Sequence, residues 1–198
     1  MEDAAIQGHL ILLMAPSGSG KKKVIDGLGD VAEQIYFAKT FTSREPRDGT
    51  EENPKYIFIS RAEFESMIAN DEFIEWAEFS ANLYGTPKSE FLIPLQAGRV
   101  VMKEMEMQGV QQIKSLLPKE KCTVVYIDAG SWENLKGRIL SRAPISKEHL
   151  ALRKQRFEEE SKFKAQADVI IDNRNGKLDE AQAVFRQVVT DIVNENTN

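Results

Sequence analysis

The stretch Met14–Lys23, MAPSGSGKKK, decides how the rest of the chain is interpreted. It follows the apolar run Leu10–Met14 and precedes the apolar-spaced Val24, Ile25 and Leu28, so it predicts a strand, a glycine turn and the start of a helix. A phosphate-binding loop has this setting and the pattern G-x-x-x-x-G-K-[ST]. In it, backbone amides surround phosphate oxygens, Lys contacts the terminal phosphates and the hydroxyl holds Mg2+. The stretch therefore predicts a phosphate site.

This loop departs from the pattern at both ends. Ala15 stands where the first Gly belongs, which matters only if the position needs a positive φ or a close approach of backbone to phosphate. Lys22 stands where the hydroxyl belongs, so we expect weaker metal binding, with its ammonium partly replacing the ion. Lys23 is expected to face solvent. Whether the loop supports phosphoryl transfer or only binding depends on these substitutions.

The bulk composition restricts the class of protein. A chain of 198 residues with 41% hydrophobic content is long enough for one well-packed domain. Its net charge of -5 argues against a broad basic surface for nucleic acid, so we expect a small-molecule ligand. The lone Cys122 is predicted to be a buried core thiol, which fits a reducing cytoplasm. With no signal-peptide pattern and no apolar run near the roughly 20 residues of a membrane helix, a cytoplasmic protein is expected.

Four short apolar runs alternate with helical patterns along the chain. They are Leu10–Met14, Val100–Met105, Cys122–Asp128 and Val169–Asp172. Strands that alternate with helices predict an α/β domain with a largely parallel sheet, whose ligands bind at the carboxyl ends of the strands. The phosphate loop follows such an end.

The helices predicted beside these strands differ in strength. Gly27 and Gly29 each cost about 1 kcal/mol relative to Ala, so the helix after the glycine turn is expected to be short or irregular. The last helix is strongly amphipathic, with apolar residues from Leu178 to Val193 at spacings of three and four. It is expected to pack on the sheet.

Residues 37–86 differ in character from the rest and predict a small insertion of strands with one helix. Tyr56–Ile59 predicts a strand, and Ser60 with Glu63 has the spacing of a capping box at the start of a helix. The stretch Asn82–Pro87 is typical of a turn.

A second arginine-rich region, residues 130–167, predicts a mobile lid. It contains Arg138–Pro144, followed by Arg153 and Arg156 on a segment that is polar nearly all round. The core then consists of residues 1–36, 87–129 and 168–198.

Taken in order, these segments resemble the guanylate kinase family over nearly the whole chain, from about Gly8 to Asn194. The resemblance rests on seven motifs: Ala15–Lys21, Thr42–Arg47, Tyr56, Glu75–Trp76, Tyr84–Thr86, Glu104–Gly109 and Arg138–Arg142. It implies a single P-loop NTPase-type domain, with a parallel sheet flanked by helices, a small α+β GMP-binding insertion and a helical lid. It also implies transfer of the terminal phosphoryl group of ATP to GMP, giving ADP and GDP, with Mg2+ as the cofactor that accompanies ATP.

The chemistry of GMP agrees with the residue types in the insertion. Arg44 and Arg47, stiffened by Pro46, can bind phosphate oxygens, and Tyr56 and Tyr84 add hydroxyl donors. Such side chains taken singly are more often surface or core residues, so their joint order carries the argument.

The guanine end is predicted from a carboxylate and a hydroxyl. Glu75 can accept from N1–H and N2–H2, while the Thr86 hydroxyl reaches O6. AMP lacks those donors and would leave the carboxylate unpaired. The resemblance thus implies eight GMP-binding residues: Thr40, Arg44, Arg47, Tyr56, Glu75, Tyr84, Thr86 and Glu104. Thr40 stands where Ser is usual.

The resemblance also assigns the donor side. Phosphoryl transfer needs alignment and positive charge rather than a protein nucleophile. Four residues are implied to be catalytic: Lys21, Arg138, Arg142 and Arg153. Nine are implied to bind ATP: Ala15, Pro16, Ser17, Gly18, Ser19, Gly20, Lys21, Lys22 and Lys23. Glu106, one methylene longer than the usual Asp, is implied to hold Mg2+ through water.

Three functions stay open from the sequence. The first is the GMP kinase. The second is a catalytically impaired binding module that keeps the GMP pocket, favoured by Ala15, Lys22 and the stiff Pro144. The third is a kinase for another phosphorylated ribose compound, which Glu75 and Thr86 oppose. The expected partners are the small molecules GMP and ATP, without nucleic acid or membrane, and the chain is expected to be a monomer or a homodimer.

Overall fold

The structure is a computed structural model that describes residues 5–46, 55–105, 107–114, 116–141 and 144–197. Its strands are β1 (His9–Met14), β2 (Ile35–Phe37), β3 (Thr40–Thr42), β4 (Tyr56–Phe58), β5 (Phe73–Phe79), β6 (Asn82–Pro87), β7 (Val100–Glu104), β8 (Cys122–Asp128) and β9 (Val169–Asp172). Its α-helices are α1 (Lys21–Asp26), α2 (Arg61–Ala69), α3 (Ser89–Gln96), α4 (Met107–Lys114), α5 (Trp132–Leu140), α6 (Lys147–Lys162) and α7 (Leu178–Thr197). Short 3-10 segments occupy Gly29–Gln34, Lys119–Lys121 and Phe163–Gln166.

A five-stranded parallel sheet in the order β2-β7-β1-β8-β9 forms the centre of the molecule. All four apolar runs predicted as strands are confirmed, with bounds that differ by at most one residue. Helices α1 and α7 pack on one face of the sheet, and α3 and α4 pack on the other. Burial on both faces explains why these strands have continuous rather than alternating hydrophobicity. The predicted fold class is therefore confirmed.

The helices on the first face follow the sequence pattern. Helix α1 is short, as predicted, and ends before Gly27, where an added Cβ would lie 2.5 Å from Cγ of Gln182 on α7. Helix α7 buries most of the predicted stripe, including Phe185 and Val189, whereas Val184 is exposed, and the helix continues to Thr197. Cys122 is buried in β8, as predicted, and burial raises the pKa of its thiol to about 11.

A second sheet, in the order β4-β3-β6-β5, packs on α2. The predicted capping box at Ser60 and Glu63 is present. The turn predicted for Asn82–Pro87 is wrong, because this stretch is strand β6 and pairs with both β3 and β5. The chain reverses instead at Ser80 and Ala81, whose φ angles of 50° and 60° fit a two-residue hairpin turn. Asn-Gly is the usual sequence signal for that turn, so the sequence Ser80-Ala81 did not predict it.

Helices α5 and α6 form the arginine-rich part of the chain. Helix α6 has no buried residue, as its polar sequence predicted. A small apolar cluster around Leu135 and Ile139 joins it to α5, with Phe157 packed against the cluster. We keep the names insertion for residues 37–86 and lid for residues 130–167, and this division stays a prediction. Among the described residues, none of the helices combines the length and apolarity needed to cross a membrane.

Candidate nucleotide-binding site

The loop of residues 15–23, called the P-loop below, lies at the carboxyl end of the central strand β1. Gly18 and Gly20 have φ angles of 96° and 89°, in the left-handed region that favours glycine. A Cβ at Gly20 would lie 2.7 Å from the side-chain nitrogen of Asn173. The turn is closed by a hydrogen bond from the Ser19 amide to the Pro16 carbonyl, 3.0 Å long. These two glycines are therefore required by the backbone path of the loop.

Two side chains from outside the loop bind its backbone. The carbonyl oxygen of Ser19 accepts hydrogen bonds from Arg138 Nη1 at 3.0 Å and from Asn173 Nδ2 at 2.7 Å. Arg138 also donates to the carbonyl of Asn173 at 2.7 Å and to Oδ1 of Asn175 at 3.0 Å. Its guanidinium thus connects α5, the P-loop and the end of β9. In this structure Arg138 positions the loop, and its action on the transferred group stays a prediction.

The substituted loop positions have different consequences. Non-glycine residues with positive φ in the described part of the chain are Asp71, Ser80 and Ala81, so Ala15 has ordinary backbone geometry. Its side chain packs against the core beneath the sheet. Lys22 is exposed in the first turn of α1. The backbone conformation therefore does not require glycine at position 15, and the effect of Lys22 on the chemistry stays a prediction.

An acidic group at the end of β7 binds two lysines. One oxygen of Glu104 lies 2.5 Å from Lys55 Nζ, and the other lies 3.6 Å from Lys21 Nζ. Burial by itself would raise the pKa of Glu104, but the two ammonium groups outweigh burial and hold that pKa below its ordinary value. Glu104 is therefore a carboxylate that links the P-loop lysine to the insertion.

A cavity of about 840 Å³ lies over the P-loop. Its wall contains the whole P-loop, Thr40 and Tyr56 from the insertion, Glu104 from β7, and Arg153 from the lid. Arg153 Nη1 also donates to the Ser17 hydroxyl at 3.1 Å. The structure thus brings together residues that are far apart in the sequence.

The other predicted GMP contacts share one face of the second sheet. The strand register pairs Thr42 with both Phe58 and Tyr84, and it pairs Thr40 with Tyr56. Opposite residues in paired strands point to the same side, as do residues two apart in one strand. The rings of Tyr56 and Tyr84 accordingly lie 6.4 Å apart. The two predicted hydroxyl donors for the acceptor phosphate are neighbours.

Arg44 lies next to this aromatic group. Its guanidinium stands over the Phe58 ring, 5.5 Å from the centroid, and Nη1 donates to the carbonyl of Glu45 at 3.2 Å. Phe58 in turn lies 6.2 Å from the Tyr56 ring, measured between centroids. Arg44 is therefore placed on the aromatic group through Phe58 and is not part of the cavity wall.

A β-bulge determines which way Glu75 faces. The register shifts between Phe73, which pairs with Pro87, and Glu75, which pairs with Thr86. Phe73 stacks on Phe64 at 4.3 Å in the core under the sheet. Without the extra residue, Phe73 and Glu75 would share a face. The bulge turns Glu75 to the opposite side, where its Oε1 accepts a 2.6 Å hydrogen bond from the Thr86 hydroxyl.

Comparison with known proteins agrees with this geometry. Residues 7–191 match the family described as guanylate kinase. The chain belongs to the guanylate kinase family. A guanylate kinase of Nostoc sp. strain PCC 7120 is 38% identical over 168 residues, which are 85% of this chain and 83% of the relative. A guanylate kinase of Synechococcus sp. strain JA-3-3Ab is 33% identical over 183 residues, or 91% of this chain and 83% of the relative.

The fold also matches a solved structure. The crystal structure of guanylate kinase from Anaplasma phagocytophilum superimposes with a TM-score of 0.68 at 23% identity, covering 94% of this chain and 87% of that chain. The resemblance found in the sequence motifs is thus confirmed at the level of family and fold.

Not every site residue predicted from the sequence can be placed. Arg47, Arg142 and Glu106 lie outside the described residues. Glu75, Tyr84 and Thr86 are described, but the cavity wall does not include them. Their assignments stay predictions.

Three residues near the site were missed by sequence reasoning. Asn173 binds the P-loop backbone, Lys55 binds Glu104, and Lys103 lies in the cavity wall. Only Lys103 carried a signal, because a lysine inside a run predicted to be a buried strand needs an explanation. Lys55 and Asn173 acquire their partners through tertiary contacts that spacing does not reveal.

Proposed function

We propose that this member of the family transfers the terminal phosphoryl group of ATP to GMP, giving ADP and GDP. The observation that carries the proposal is the single cavity shared by the P-loop, Thr40 and Tyr56 of the insertion, Glu104 and the lid residue Arg153. Donor and acceptor must be held together with their reacting atoms aligned, and much of the acceleration comes from that alignment. A cavity with walls from all three parts of the chain suits this requirement.

The donor side is assigned to the P-loop and the lid. The amides of the P-loop would surround the phosphates of ATP, with Lys21 on the terminal ones. Arg153, which donates a hydrogen bond to the Ser17 hydroxyl, would stabilise the charge on the transferred group with its guanidinium. Arg142 is proposed for the same role from the sequence. Lys22 and Lys23 complete the set of ATP-binding residues.

The acceptor side is assigned to the insertion and β7. Arg44, with Arg47 from the sequence, would bind the GMP phosphate together with the hydroxyls of Tyr56 and Tyr84. Glu75 would accept from N1–H and N2–H2 of guanine, beside Thr86 and Thr40. Glu104 would orient the acceptor from the end of β7.

The proposed reaction is a direct transfer between the two bound nucleotides. A phosphate oxygen of GMP attacks the terminal phosphorus of ATP, the bond to the bridging oxygen breaks, and ADP leaves with that electron pair. Lys21 and the lid arginines stabilise the negative charge that spreads over the transferred group. No covalent enzyme intermediate is required.

Mg2+ is proposed as the cofactor that accompanies ATP. Among the described residues there is no group of three or more His, Cys, Asp or Glu side chains placed to hold a metal ion. Mg2+ commonly binds with nucleotides through phosphate oxygens and water. The ion would neutralise phosphate charge. Glu106 is proposed to reach it through water, and Lys22 would supply part of the missing positive charge.

The cellular location and the oligomeric state of the protein are also proposed. A single buried thiol fits a reducing cytoplasm. The cavity is formed within one chain, so the proposed reaction works equally in a monomer or a homodimer.

The test is GDP formation from GMP and ATP with Mg2+. We expect turnover by the native protein and a loss of about 100-fold or more in Lys21→Met, which lacks the charge on the terminal phosphates. Lys119→Met is the matched control, since Lys119 is exposed on the 3-10 segment before β8. A native protein that binds GMP but forms no GDP would refute the kinase and support the binding module.

A further inference from the structure

Lys103 is a buried lysine beside the proposed site. It is the fourth residue of β7, is only 6% exposed and forms part of the cavity wall. Its Nζ donates to the Thr40 hydroxyl at 2.7 Å and to the Ala38 carbonyl at 3.2 Å. An ammonium group has three N–H donors, so one is left for another acceptor.

The ammonium is not neutralised by direct contact. Its hydrogen-bond partners are neutral, and no described carboxylate forms an ion pair with it. Burial lowers the pKa of Lys103 to about 8; Glu75, Glu90 and Glu104 oppose this lowering, and Lys55 adds to it. Lys103 therefore remains a cation at neutral pH. Since an unpaired buried charge destabilises the fold, packing does not explain it.

Lys103 stands at one end of a row of polar side chains. The antiparallel register pairs Phe41 with Gly85, which puts Thr40 next to Thr86 on the adjacent strand. Thr86 donates to Glu75 at 2.6 Å, and Thr40 accepts from Lys103 at 2.7 Å. Across the sheet face the order is therefore the Lys103 ammonium, the Thr40 hydroxyl, the Thr86 hydroxyl and the Glu75 carboxylate.

This row complements the Watson–Crick edge of guanine. That edge presents the acceptor O6 at one end and the donors N1–H and N2–H2 towards the other. Adenine presents an amino group in place of O6 and an acceptor at N1. The amino group would face the Lys103 ammonium, and the N1 acceptor would face the Glu75 carboxylate, so neither contact would be favourable. A cation at the end opposite Glu75 therefore distinguishes a 6-oxo purine from a 6-amino purine.

We propose that Lys103 is a specificity-determining residue, whose ammonium donates to O6 of the purine while it holds the Thr40 hydroxyl in place. The inference rests on the proposed function, because it assumes that guanine binds between Lys103, in the cavity wall, and Glu75, outside that wall. It goes beyond the carboxylate–threonine pair by assigning the O6 side of the base to a buried positive charge.

The experiment compares GMP with 6-thio-GMP in the native protein and in Lys103→Met. The two nucleotides share N1–H and N2–H2 and differ only at position 6, where sulfur is the weaker acceptor. We expect Lys103→Met to raise the Kd and KM for GMP about 10-fold or more, with kcat and the KM for ATP little changed. The native preference for GMP over 6-thio-GMP should fall about 5-fold or more.

Two variants keep the test decisive. Lys88→Met is the matched control, because Lys88 forms an exposed ion pair with Asp71 on the outside of the insertion, and it should leave the preference unchanged. Lys103→Leu replaces Lys103→Met if the latter folds poorly. In the native protein, GMP binding should also raise the pKa of Lys103, measured by an NMR titration of labelled lysine. A lysine with only a packing role would not show this rise.

Affinities measured by calorimetry separate this inference from the proposed function. A native protein that binds GMP without forming GDP refutes the kinase, but its ratio of affinities still decides the role of Lys103. An unchanged GMP affinity in Lys103→Met overturns the inference. So does an equal loss for GMP and 6-thio-GMP, which would indicate a purely structural residue.

Discussion

Replacing Lys103 by Met should make the stability of the protein less dependent on pH. Burial lowers the pKa of Lys103 from its ordinary 10.5 to about 8, against the opposing effect of Glu75, Glu90 and Glu104. Between those values the unfolded chain binds more protons than the folded one, so native stability rises with pH. Below about pH 8 the folded state carries the whole penalty. One pKa unit corresponds to about 1.4 kcal/mol, so the penalty is about 3 kcal/mol.

The substitution also removes two hydrogen bonds. Those to the Thr40 hydroxyl and the Ala38 carbonyl contribute about 1 kcal/mol each. Lys103→Met should therefore be about 1 kcal/mol more stable than the native protein near pH 7, and less stable near pH 10. The hydrogen bonds contribute equally at both pH values. The difference in unfolding free energy between Lys103→Met and the native protein should therefore change by about 2 to 3 kcal/mol between pH 7 and pH 10.

Urea unfolding of both proteins near pH 7 and near pH 10 measures this change. Other titrating groups are common to both proteins and cancel in the difference. Val101→Ala, a buried and uncharged substitution on the same strand, is the control and should lower stability equally at both pH values. A native-minus-variant difference that stays constant within about 1 kcal/mol would refute the buried charge at Lys103.

Three further predictions concern the proposed site. Glu75→Gln should weaken GMP binding by about 2 kcal/mol or more in calorimetry, because an amide replaces a charged acceptor; unchanged affinity, as expected for the control Glu78→Gln, would mean that the guanine site is misplaced. Lys22→Ser should raise GDP formation at low Mg2+ by restoring a metal-binding hydroxyl, and an unaltered Mg2+ dependence would contradict that role. Arg138→Met should raise the KM for ATP about 10-fold or more, since the Ser19 carbonyl loses a donor; an unaffected KM would show that the loop holds its shape without it.

The fold was largely predictable because its central strands are buried on both faces. Continuous apolar runs and a glycine turn are local signals, and each of the four predicted strands is present. Strand β6 was not predictable, since its hairpin uses Ser80 and Ala81 rather than Asn-Gly and the strand contains Gly85 and ends in Pro87.

The site was predictable only as a set of residue types. The face that collects Thr40, Tyr56 and Tyr84 depends on strand register, and the direction of Glu75 depends on a bulge that no local pattern announces. The family resemblance supplied these residues through the order of its motifs along the chain. It could not supply Lys103, whose significance depends on its burial and on its contact with Thr40.

The contacts of Glu104 bear on the proposed role of Lys21 at the phosphates of ATP. Lys21 lies 3.6 Å from a carboxylate that has a closer partner in Lys55. The Lys21–Glu104 contact is long and partly exposed, so little free energy opposes its exchange for a phosphate. In the proposed exchange Glu104 would keep Lys55 and would not be left as an unpaired charge. Arg138 and Asn173 hold the Ser19 carbonyl of the loop through hydrogen bonds that do not involve Lys21, so the exchange would leave the backbone around Lys21 in place.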